Sequence, residues 1–324
     1  MARDVTFCLV TRNHANTIAG ALGAALAQDF TPLDILVWDD ASTDGTADIV
    51  ARAFEKYEGP HTLGLRRADR PRGLCASLNA AVEEIDTDFV VLGHGADISE
   101  PNRVSRLVGA WRDTGASVVA SNALVIDDAG KTRGPARRLN GPQEMSLAQF
   151  AQSGENVCCL GATLAWHRSV FDTFGPIEID RAPASPDMII PLRGLLLDGN
   201  HFIDEPLVRH RPAQNFDRAA RHDPAFAKIA EEAAGEDAVK QLSYVISTLV
   251  ENADRLKGRE PNPGHYATVA LGALIARLQH WVAQRNALYA AGYKNLWATP
   301  AAEGEAAGQR LTPPLQTAKG NIEA

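Results

Sequence analysis

The clearest indication of the fold is the stretch Val37-Trp38-Asp39-Asp40-Ala41-Ser42-Thr43-Asp44-Gly45-Thr46. Apolar and β-prone residues lead into its paired carboxylates, and a helical pattern over 47–57 follows its polar residues. This order predicts a buried strand, a turn and a helix, with Ser42 and Thr43 as N-cap candidates. Ligands of open α/β sheets bind past the carboxyl ends of the strands. The carboxylates are therefore either acceptors for a nucleobase or ribose, or solvated acids of a capped turn.

The same alternation runs through the first 120 residues. We predict strands at 5–10, 33–39, 61–65, 89–92 and 117–120, and helices at 15–28, 46–57, 73–85 and 102–114. Strands that alternate with helices are typical of α/β folds. The pattern therefore predicts a doubly wound, mostly parallel sheet.

Composition narrows the class of protein. The chain has 324 residues, 45% of them apolar, which suits one large or two smaller domains. Its net charge of −8 argues against a nucleic-acid-binding surface. Its four cysteines form no CxxC pair, a pattern that indicates a reduced, cytoplasmic protein. No apolar run approaches the roughly 20 residues of a membrane span, although peripheral membrane association stays open.

Two common phosphate-binding motifs are missing. The turn from Thr11 to His14 contains no glycine, whereas a dinucleotide-binding fold needs a glycine-rich turn after its first strand. The sequence Gly130-Lys131-Thr132 imitates the end of a P-loop, but Val125 stands where the first glycine should be. We therefore predict a hairpin turn at 128–130 instead of a Walker site.

Five segments, taken together and in this order, indicate a protein family far more specifically than any one of them does. They are VTFCLVTRNH, LAQDF, VWDDASTDGTADIV, RGLCASLNAA and DFVVLGHGADISEPNRV. In this order they resemble the inverting family-two glycosyltransferases with the GT-A fold. The resemblance weakens after the first half and ends near residue 215. It implies a GT-A domain over residues 1–215. It also implies transfer of a sugar, with inversion, from a UDP- or GDP-linked donor to a hydroxyl of a glycan, a lipid-linked glycan or a protein.

The resemblance also implies a pocket for the donor nucleotide. Asp40 would accept a hydrogen bond from the base, with Asp39 supporting it, because a carboxylate forms a charge-assisted bond with an imide N–H. Asn79 has an equally good interpretation as an amide on a helix surface. The implied pocket residues are Thr11, Asn13, Asp39, Asp40, Gly73 and Asn79.

The diphosphate site departs from the family pattern. Relatives carry Asp-x-Asp followed by a further Asp. The second Asp of the Asp-x-Asp pair binds a divalent ion. Here the positions hold His94, Gly95, Ala96 and Asp97, so the metal-ligand position falls on alanine. Asp97 remains as a candidate ligand for Mn²⁺ or Mg²⁺, with His94 beside it, and a metal-free enzyme is the alternative.

Arginines can compensate the charge of a diphosphate without a metal. Each candidate could instead lie in a solvated loop. Relatives often carry a histidine at the diphosphate in the stretch matching 208–215, and our alignment places Ala213 there. The candidate arginines are Arg133, Arg137, Arg138, Arg209 and Arg211.

The resemblance assigns the general base to Asp187. Family members often have Glu-Asp at the head of a helix here, whereas this chain has Pro186-Asp187. The aspartate would remove the proton of the acceptor hydroxyl. The alternative is purely structural, because proline and aspartate both suit the first turn of a helix.

The substitutions at Ala96, Pro186 and Ala213 keep a second function open. The chain could be a catalytically impaired GT-A pseudoenzyme that binds a nucleotide or glycan as an interaction protein. We favour the enzyme, because a scaffold has no need to retain Asp97 and Asp187.

The composition changes after residue 215. Helical patterns over 223–257 and 266–289 predict a helical domain or hairpin within 216–298. Its apolar stripes would pack on each other or on the GT-A domain, or would form a homodimer interface. Residues 299–324 are polar and rich in proline, glycine and alanine, which predicts a disordered tail.

Overall fold

The structure is a computed structural model, and it describes residues 4–136, 144–145, 160–177 and 186–212. The predicted helical segment at 216–298 and the tail at 299–324 lie outside the described residues. The homodimer interface assigned to that segment is therefore not described either.

The first half of the chain forms four parallel strands of the sheet, in the order β3-β2-β1-β4. The predicted alternation of strands and helices is confirmed, with ends that differ by a few residues. The elements are β1 (Val5–Thr11), α1 (Ile18–Leu26), β2 (Asp34–Asp39), α2 (Thr46–Glu55), β3 (Thr62–Arg67), α3 (Leu74–Glu83) and β4 (Phe89–His94).

The second half makes the sheet mixed. The elements are β5 (Ile98–Ser99), α4 (Arg103–Thr114), β6 (Val118–Ile126), β7 (Thr132–Pro135), β8 (Glu144–Met145), a 3-10 turn (Gly161–Thr163), β9 (Ala165–His167), α5 (Ser169–Phe174), α6 (Pro186–Leu196) and β10 (Asn200–His210). Beyond β4 the order continues β9-β6-β10-β5. Strand β9 is antiparallel to both β4 and β6, so only part of the sheet has the expected parallel pairing. Strands β6 and β7 form the predicted hairpin, whose turn contains Gly130 at φ 78°.

Each face of the sheet carries its own core, as a doubly wound fold requires. Side chains alternate between the faces of a strand. Phe7 and Leu9 of β1 therefore pack with the apolar residues of α1 and α4, whereas Cys8 and Val10 pack with those of α3, α5 and α6. The helices thus cover both faces and leave the carboxyl edge of β1, β2 and β4 for the loops.

The described helices are short, and α4 is the longest of them with 12 residues. A span of the hydrocarbon core takes about 20 residues. Within the part of the chain that the structure describes, no helix combines the length and apolarity needed to cross a membrane.

Candidate functional site

The carboxyl ends of β1, β2 and β4 meet at one edge of the sheet. Thr11 is aligned with Asp39, and Val10 with His94. Just past β2, the backbone N–H of Asp40 donates to the carbonyl oxygen of Thr11 at 2.9 Å. Residues predicted from three separate motifs are therefore neighbours, and this edge is the candidate site.

The turns after β1 and β2 are joined by side-chain hydrogen bonds. The buried Asp39 accepts from the backbone N–H of Ser42 at 2.6 Å, which holds the second turn closed. The N–H of Asn13 donates to Ser42 Oγ at 2.8 Å, and the N–H of Thr43 donates to Asn13 Oδ1 at 2.9 Å. Asn13 and Asp39 therefore shape the rim of the site.

The predicted N-caps of α2 are wrong. The helix begins at Thr46, and Gly45 at φ 89° precedes it. Asp44 provides a hydrogen-bond acceptor at the start of the helix, because its Oδ1 accepts from the Thr46 N–H at 3.1 Å. Its Oδ2 accepts from the Ala15 N–H at 2.9 Å. Burial would raise the pKa of the Asp44 carboxyl, but hydrogen bonds from Thr46 and Ala15 outweigh it and lower that pKa. The hydroxyl of Ser42 is used by Asn13 instead.

A cavity of about 570 Å³ opens at this rim, within the range of small-molecule sites. Asn13 at φ 54° and Ala41 at φ 55° take left-handed conformations that cost a non-glycine residue about 1 kcal/mol. Such strain is often found at functional sites. The lining residues are Arg12, Asn13, Ala41, Ser42, Thr43, Arg67, Ala68, Asp69 and Pro71.

Asp40 is buried beside this cavity and holds the loop that leads to α3. Its Oδ1 accepts from the Arg72 N–H at 2.7 Å, and its Oδ2 accepts from the Gly73 N–H at 2.9 Å. Gly73 lies at φ 85°, a conformation that glycine adopts without strain. A carboxylate oxygen can accept a second hydrogen bond, so the base contact of Asp40 stays a prediction.

Asn79 is not brought to this pocket, contrary to the implied assignment. Its Nδ2 donates to the carbonyl oxygen of Ile177 at 2.8 Å, and its Oδ1 accepts from the Ile177 N–H at 2.8 Å. It lines a separate cavity of about 260 Å³, together with Trp166 and Phe171. Both groups of the amide therefore hold a backbone segment that is distant in sequence, and Asn79 is not a free surface amide either.

We expect Asn79→Ala to lower the free energy of unfolding by about 2 kcal/mol, because it leaves two backbone groups of Ile177 without partners. Nucleotide affinity should stay within about twofold. Urea unfolding and calorimetric titration measure the two quantities.

Asn13→Gly is the matched comparison. Glycine adopts the same φ without strain, but the change removes a side chain from the rim, so Asn13→Gly should weaken nucleotide binding. A tenfold loss of nucleotide affinity in Asn79→Ala would show that Asn79 contributes to the nucleotide pocket.

The turn after β4 is organised around Asp97, whose side chain is buried. Its Oδ1 lies 2.9 Å from His210 Nδ1 and accepts from the Arg211 N–H at 2.8 Å. Its Oδ2 lies 3.7 Å from His94 Nδ1. Burial would raise the pKa of the Asp97 carboxyl, but the contacts with His210 and His94 outweigh it and hold that pKa well below the usual range. The carboxylate is thus bound within the protein.

The residues of this turn do not fit a divalent cation. Ala96 offers no side-chain donor, and Asp97 is engaged by His210 and Arg211. Across residues 4–136, 144–145, 160–177 and 186–212, no three His, Cys, Asp or Glu side chains are grouped so that they could hold a metal ion. His94 Nε2 is buried and has no hydrogen-bond partner among the described residues. The side chain of His94 is partly exposed, but this nitrogen atom is not.

Gly95 lets this turn pack against the turn after β1. A Cβ at Gly95 would lie 2.2 Å from Thr11 Oγ1 and 2.7 Å from His14 Nδ1. Those two atoms are 3.0 Å apart. Burial lowers the pKa of His14, and the proximity of His94 lowers it further. Thr11 therefore supports the turn, and His14 joins the group of histidines around Asp97.

Among the candidate arginines within the described ranges, Arg211 lies at the turn. Its Nε is 3.4 Å from the carbonyl oxygen of Ala96, at the position where the family has its metal ligand. Its guanidinium also donates to the carbonyl oxygen of Asp127. A fixed positive charge thus stands beside the position where a metal would be expected.

Two other candidate arginines, Arg133 and Arg209, are paired with carboxylates away from the turn. Arg209 is exposed and donates to Glu100 at 2.7 Å, a contact that raises the pKa of Arg209. Arg133 forms an ion pair with Asp127. Arg137, Arg138 and Ala213 lie outside the described residues.

Arg103 lies beneath the turn and is 1% exposed. Its Nη2 donates to the carbonyl oxygens of Leu92 at 2.7 Å and Ala162 at 2.8 Å, and its Nη1 donates to Ser99 Oγ at 2.9 Å. Burial lowers the pKa of Arg103 to about 9, although the charge of Asp97 acts in the opposite direction. A buried guanidinium therefore joins β4 to the 3-10 turn.

Asp187 is half-buried in the first turn of α6, where the sequence placed it. Its carboxylate lies against Gly161, close enough that a Cβ on that glycine would be 2.1 Å from Oδ1. Burial raises the pKa of the Cys75 thiol to about 11, and the negative charge of Asp187 contributes. Asp187 therefore faces the first turn of α3, which follows the loop held by Asp40.

Sequence reasoning missed four residues of this arrangement. The turn containing His14 and the stretch containing His210 were both singled out, but only strand pairing shows that these side chains approach Asp97. Arg103 and Gly161 gave no signal, because each acts through a contact with a residue far away along the chain: Arg103 with Ala162, 59 positions away, and Gly161 with Asp187. The four are His14, Arg103, Gly161 and His210.

Comparison with known sequences identifies relatives of the first half of the chain. The family model of Glycosyl transferase family 2 matches residues 6–175. The chain is 29% identical over 129 residues to the succinoglycan biosynthesis protein ExoO of Rhizobium meliloti, a match that covers 40% of this chain and 36% of that protein. It spans about a third to a half of the length of the curated relatives it matches.

Comparison with solved structures supports the fold. TarS of S. aureus in complex with UDP-GlcNAc superposes with a TM-score of 0.55 and 13% identity, covering 83% of this chain and 71% of that chain. The mannosyltransferase PcManGT of Pyrobaculum calidifontis, in complex with GDP-Man and Mn²⁺, gives a TM-score of 0.53 and 20% identity, covering 92% and 88%. The GT-A fold that the motifs implied is confirmed.

Proposed function

Because the chain belongs to glycosyl transferase family 2, we propose that it transfers a sugar from a UDP- or GDP-linked donor to a hydroxyl group of a glycan, with inversion. The observation that carries this proposal is the position of Asp187. A half-buried carboxylate stands in the first turn of α6, against Gly161 and near Cys75. In this position, beside the loop that Asp40 holds, Asp187 would act as the base on the acceptor hydroxyl.

The donor would lie along the edge formed by β1, β2 and β4. The cavity of about 570 Å³ at that edge would take the nucleoside. Structural neighbours bind UDP-GlcNAc and GDP-Man, which supports both donor classes. Asn13 and Asp40 would orient the base and ribose through the turns they hold. The diphosphate would then extend toward His94.

The reaction would be a single displacement. Asp187 takes the proton of the acceptor hydroxyl while the oxygen of that hydroxyl attacks the anomeric carbon. The bond between the anomeric carbon and the diphosphate oxygen breaks, and the nucleoside diphosphate leaves with the electron pair. Attack from the side opposite the leaving group inverts the configuration of that carbon.

Charge on the leaving diphosphate would be met by protein groups. Preorganised donors stabilise charge that develops in a transition state. Arg211 supplies a permanent positive charge beside Ala96, and the partly exposed imidazole of His94 would donate a hydrogen bond to the diphosphate. Asp97 holds the imidazoles of His94 and His210 from the opposite side. We therefore propose a metal-independent site.

The acceptor would be a growing polysaccharide, because ExoO is named for succinoglycan biosynthesis. A lipid-linked glycan presents the same hydroxyl groups, and so does a glycosylated protein. All three classes offer the attacking oxygen that the proposed mechanism needs. A polysaccharide acceptor is the version of the proposal that the named relatives support.

Calorimetric titration with UDP, GDP, CDP and TDP tests the donor site, first with Mn²⁺ and then with EDTA. We expect one nucleotide to bind, with dissociation constants in the two buffers that agree within about threefold, because no described group of ligands fits the ion. Binding that disappears in EDTA would contradict the metal-free site. If no nucleotide binds, the donor site is wrong, and a glycan-binding pseudoenzyme becomes the better proposal.

Two arginine variants serve as a matched pair in the same titration. Arg211→Gln removes the charge at the turn, and Arg209→Gln removes a charge that is paired with Glu100 outside it. The first should weaken binding of the diphosphate about tenfold, which corresponds to about 1.4 kcal/mol. The second should leave the affinity unchanged. Equal effects of the two variants would refute a specific role for Arg211.

A further inference from the structure

Gly161 leaves the space that the Asp187 carboxylate occupies. A Cβ built on Gly161 would lie 2.1 Å from Asp187 Oδ1, 2.8 Å from Cγ and 3.2 Å from Oδ2. The carbon atom would therefore overlap the carboxylate itself. The φ of Gly161 is outside the left-handed range, so the glycine is required here for space and not for its backbone conformation.

The backbone that carries Gly161 is held from both sides. Thr163 donates twice to the carbonyl oxygen of Leu160, through its N–H and its hydroxyl, each at 2.8 Å. The N–H of Leu164 donates to the carbonyl oxygen of Gly161 at 3.1 Å. The 3-10 turn is thus a closed unit, and its position decides where the Asp187 carboxylate can lie.

Arg103 fixes that unit relative to β4. The same Nη2 atom donates to Ala162 in the 3-10 turn and to Leu92 in β4, at 2.8 and 2.7 Å. Leu92 precedes His94 by two residues, and the N–H of Leu92 donates to the carbonyl oxygen of Leu164 at 2.9 Å. The turn against Asp187 and the strand that ends in His94 are therefore tied together at one buried guanidinium.

We infer that Gly161 and Arg103 are positioning residues, which set the location of the Asp187 carboxylate relative to the diphosphate side of the site. The inference rests on the proposed function, in which Asp187 is the base. In a single displacement the acceptor oxygen and the leaving oxygen lie on opposite sides of the anomeric carbon. A misplacement of 1 Å can cost about 100-fold in rate.

Gly161→Ala tests the inference directly. The added methyl group displaces the carboxylate, so we expect kcat to fall about 100-fold. The donor KM and the nucleotide dissociation constant should stay within about twofold, because the nucleoside cavity lies on other elements. Gly109→Ala is the matched control, since a Cβ at Gly109 meets no atom within 4 Å, and it should keep the wild-type rate.

A double variant separates positioning of the base from a general loss of structure. In Asp187→Asn the base is already absent, so adding Gly161→Ala should lower kcat by less than about twofold more. An additive 100-fold loss in the double variant would overturn the inference. Wild-type activity in Gly161→Ala, with Asp187→Asn inactive, would also overturn it and leave the proposed function intact. Wild-type activity in Asp187→Asn would instead overturn the proposed function.

Arg103→Lys extends the test to the second residue. Lysine keeps the positive charge but cannot reproduce the fork that reaches Leu92 and Ala162. We expect kcat to fall about tenfold with unchanged nucleotide affinity and a loss of that effect in the Asp187→Asn background. A wild-type kcat in Arg103→Lys would show that Arg103 is not a positioning residue. A loss of the same size in the Asp187→Asn background would show the same.

Discussion

Asp187→Asn is expected to lower kcat by about 1,000-fold while nucleotide affinity stays within about twofold. Asparagine has nearly the shape of aspartate and fits against Gly161, but it cannot accept the proton of the acceptor hydroxyl. General base catalysis contributes about 100- to 10,000-fold, so the loss should lie in the middle of that range. The nucleotide makes its predicted contacts at Asn13 and Asp40, which this change does not touch.

The measurement is the initial rate of transfer from the donor identified by titration, together with calorimetry of the variant. Asp172→Asn is the matched control, because Asp172 is an exposed aspartate of α5 that pairs with Arg168. It should transfer sugar at the wild-type rate. If Asp187→Asn retains more than about a tenth of the wild-type kcat, the base is another residue.

Asp97→Asn is expected to lower the free energy of unfolding by about 3 kcal/mol at pH 7. The wild-type carboxylate is 6% exposed and contacts His210, Arg211 and His94. An amide keeps one acceptor oxygen but removes the charge. Its NH₂ group would face a hydrogen-bond donor, so that contact would be lost. Because these contacts join β10 to the end of β4, their loss weakens the connection between distant parts of the chain.

The pH dependence of this effect has a definite sign. The folded-state pKa of Asp97 lies below its ordinary value of 3.8, so the carboxylate contributes its stability above about pH 4. That contribution is lost as the pH falls through the lowered pKa. The difference between wild type and Asp97→Asn should therefore be largest at pH 5–7 and should shrink below about pH 4.

Urea unfolding at pH 7, 5 and 3 measures the difference. Asp4→Asn provides the control, since the half-exposed Asp4 lies 3.5 Å from Arg112 at the surface. Exposed pairs contribute about 0–1 kcal/mol, so this variant should behave like the wild type at each pH. A difference between wild type and Asp97→Asn that grows on acidification would show that Asp97 is not a stabilising carboxylate.

Local sequence patterns were enough to predict the alternation of strands and helices, the turn at Asp39-Asp40 and the family. These features depend on neighbours within a few residues, because burial repeats with the period of a strand or a helix. Asp187 was singled out through the family resemblance, and the structure places it in the first turn of a helix, as the sequence indicated. The doubly wound arrangement follows from that alternation, and it was confirmed. The antiparallel insertion of β9 did not follow, since a three-residue strand carries too little periodicity.

The contacts of the side chains in the site depend on how distant elements pack together. Asp97 meets His210 because β5 pairs with β10, across 113 positions of sequence. Asn79 turns to Ile177 across 98 positions and so leaves the pocket that its motif implied. Local periodicity specifies which face of an element is buried, but a hydrogen bond between distant elements depends on how those elements are packed. The residues that surround Asp97 and Asp187 could therefore not be predicted from the sequence pattern alone.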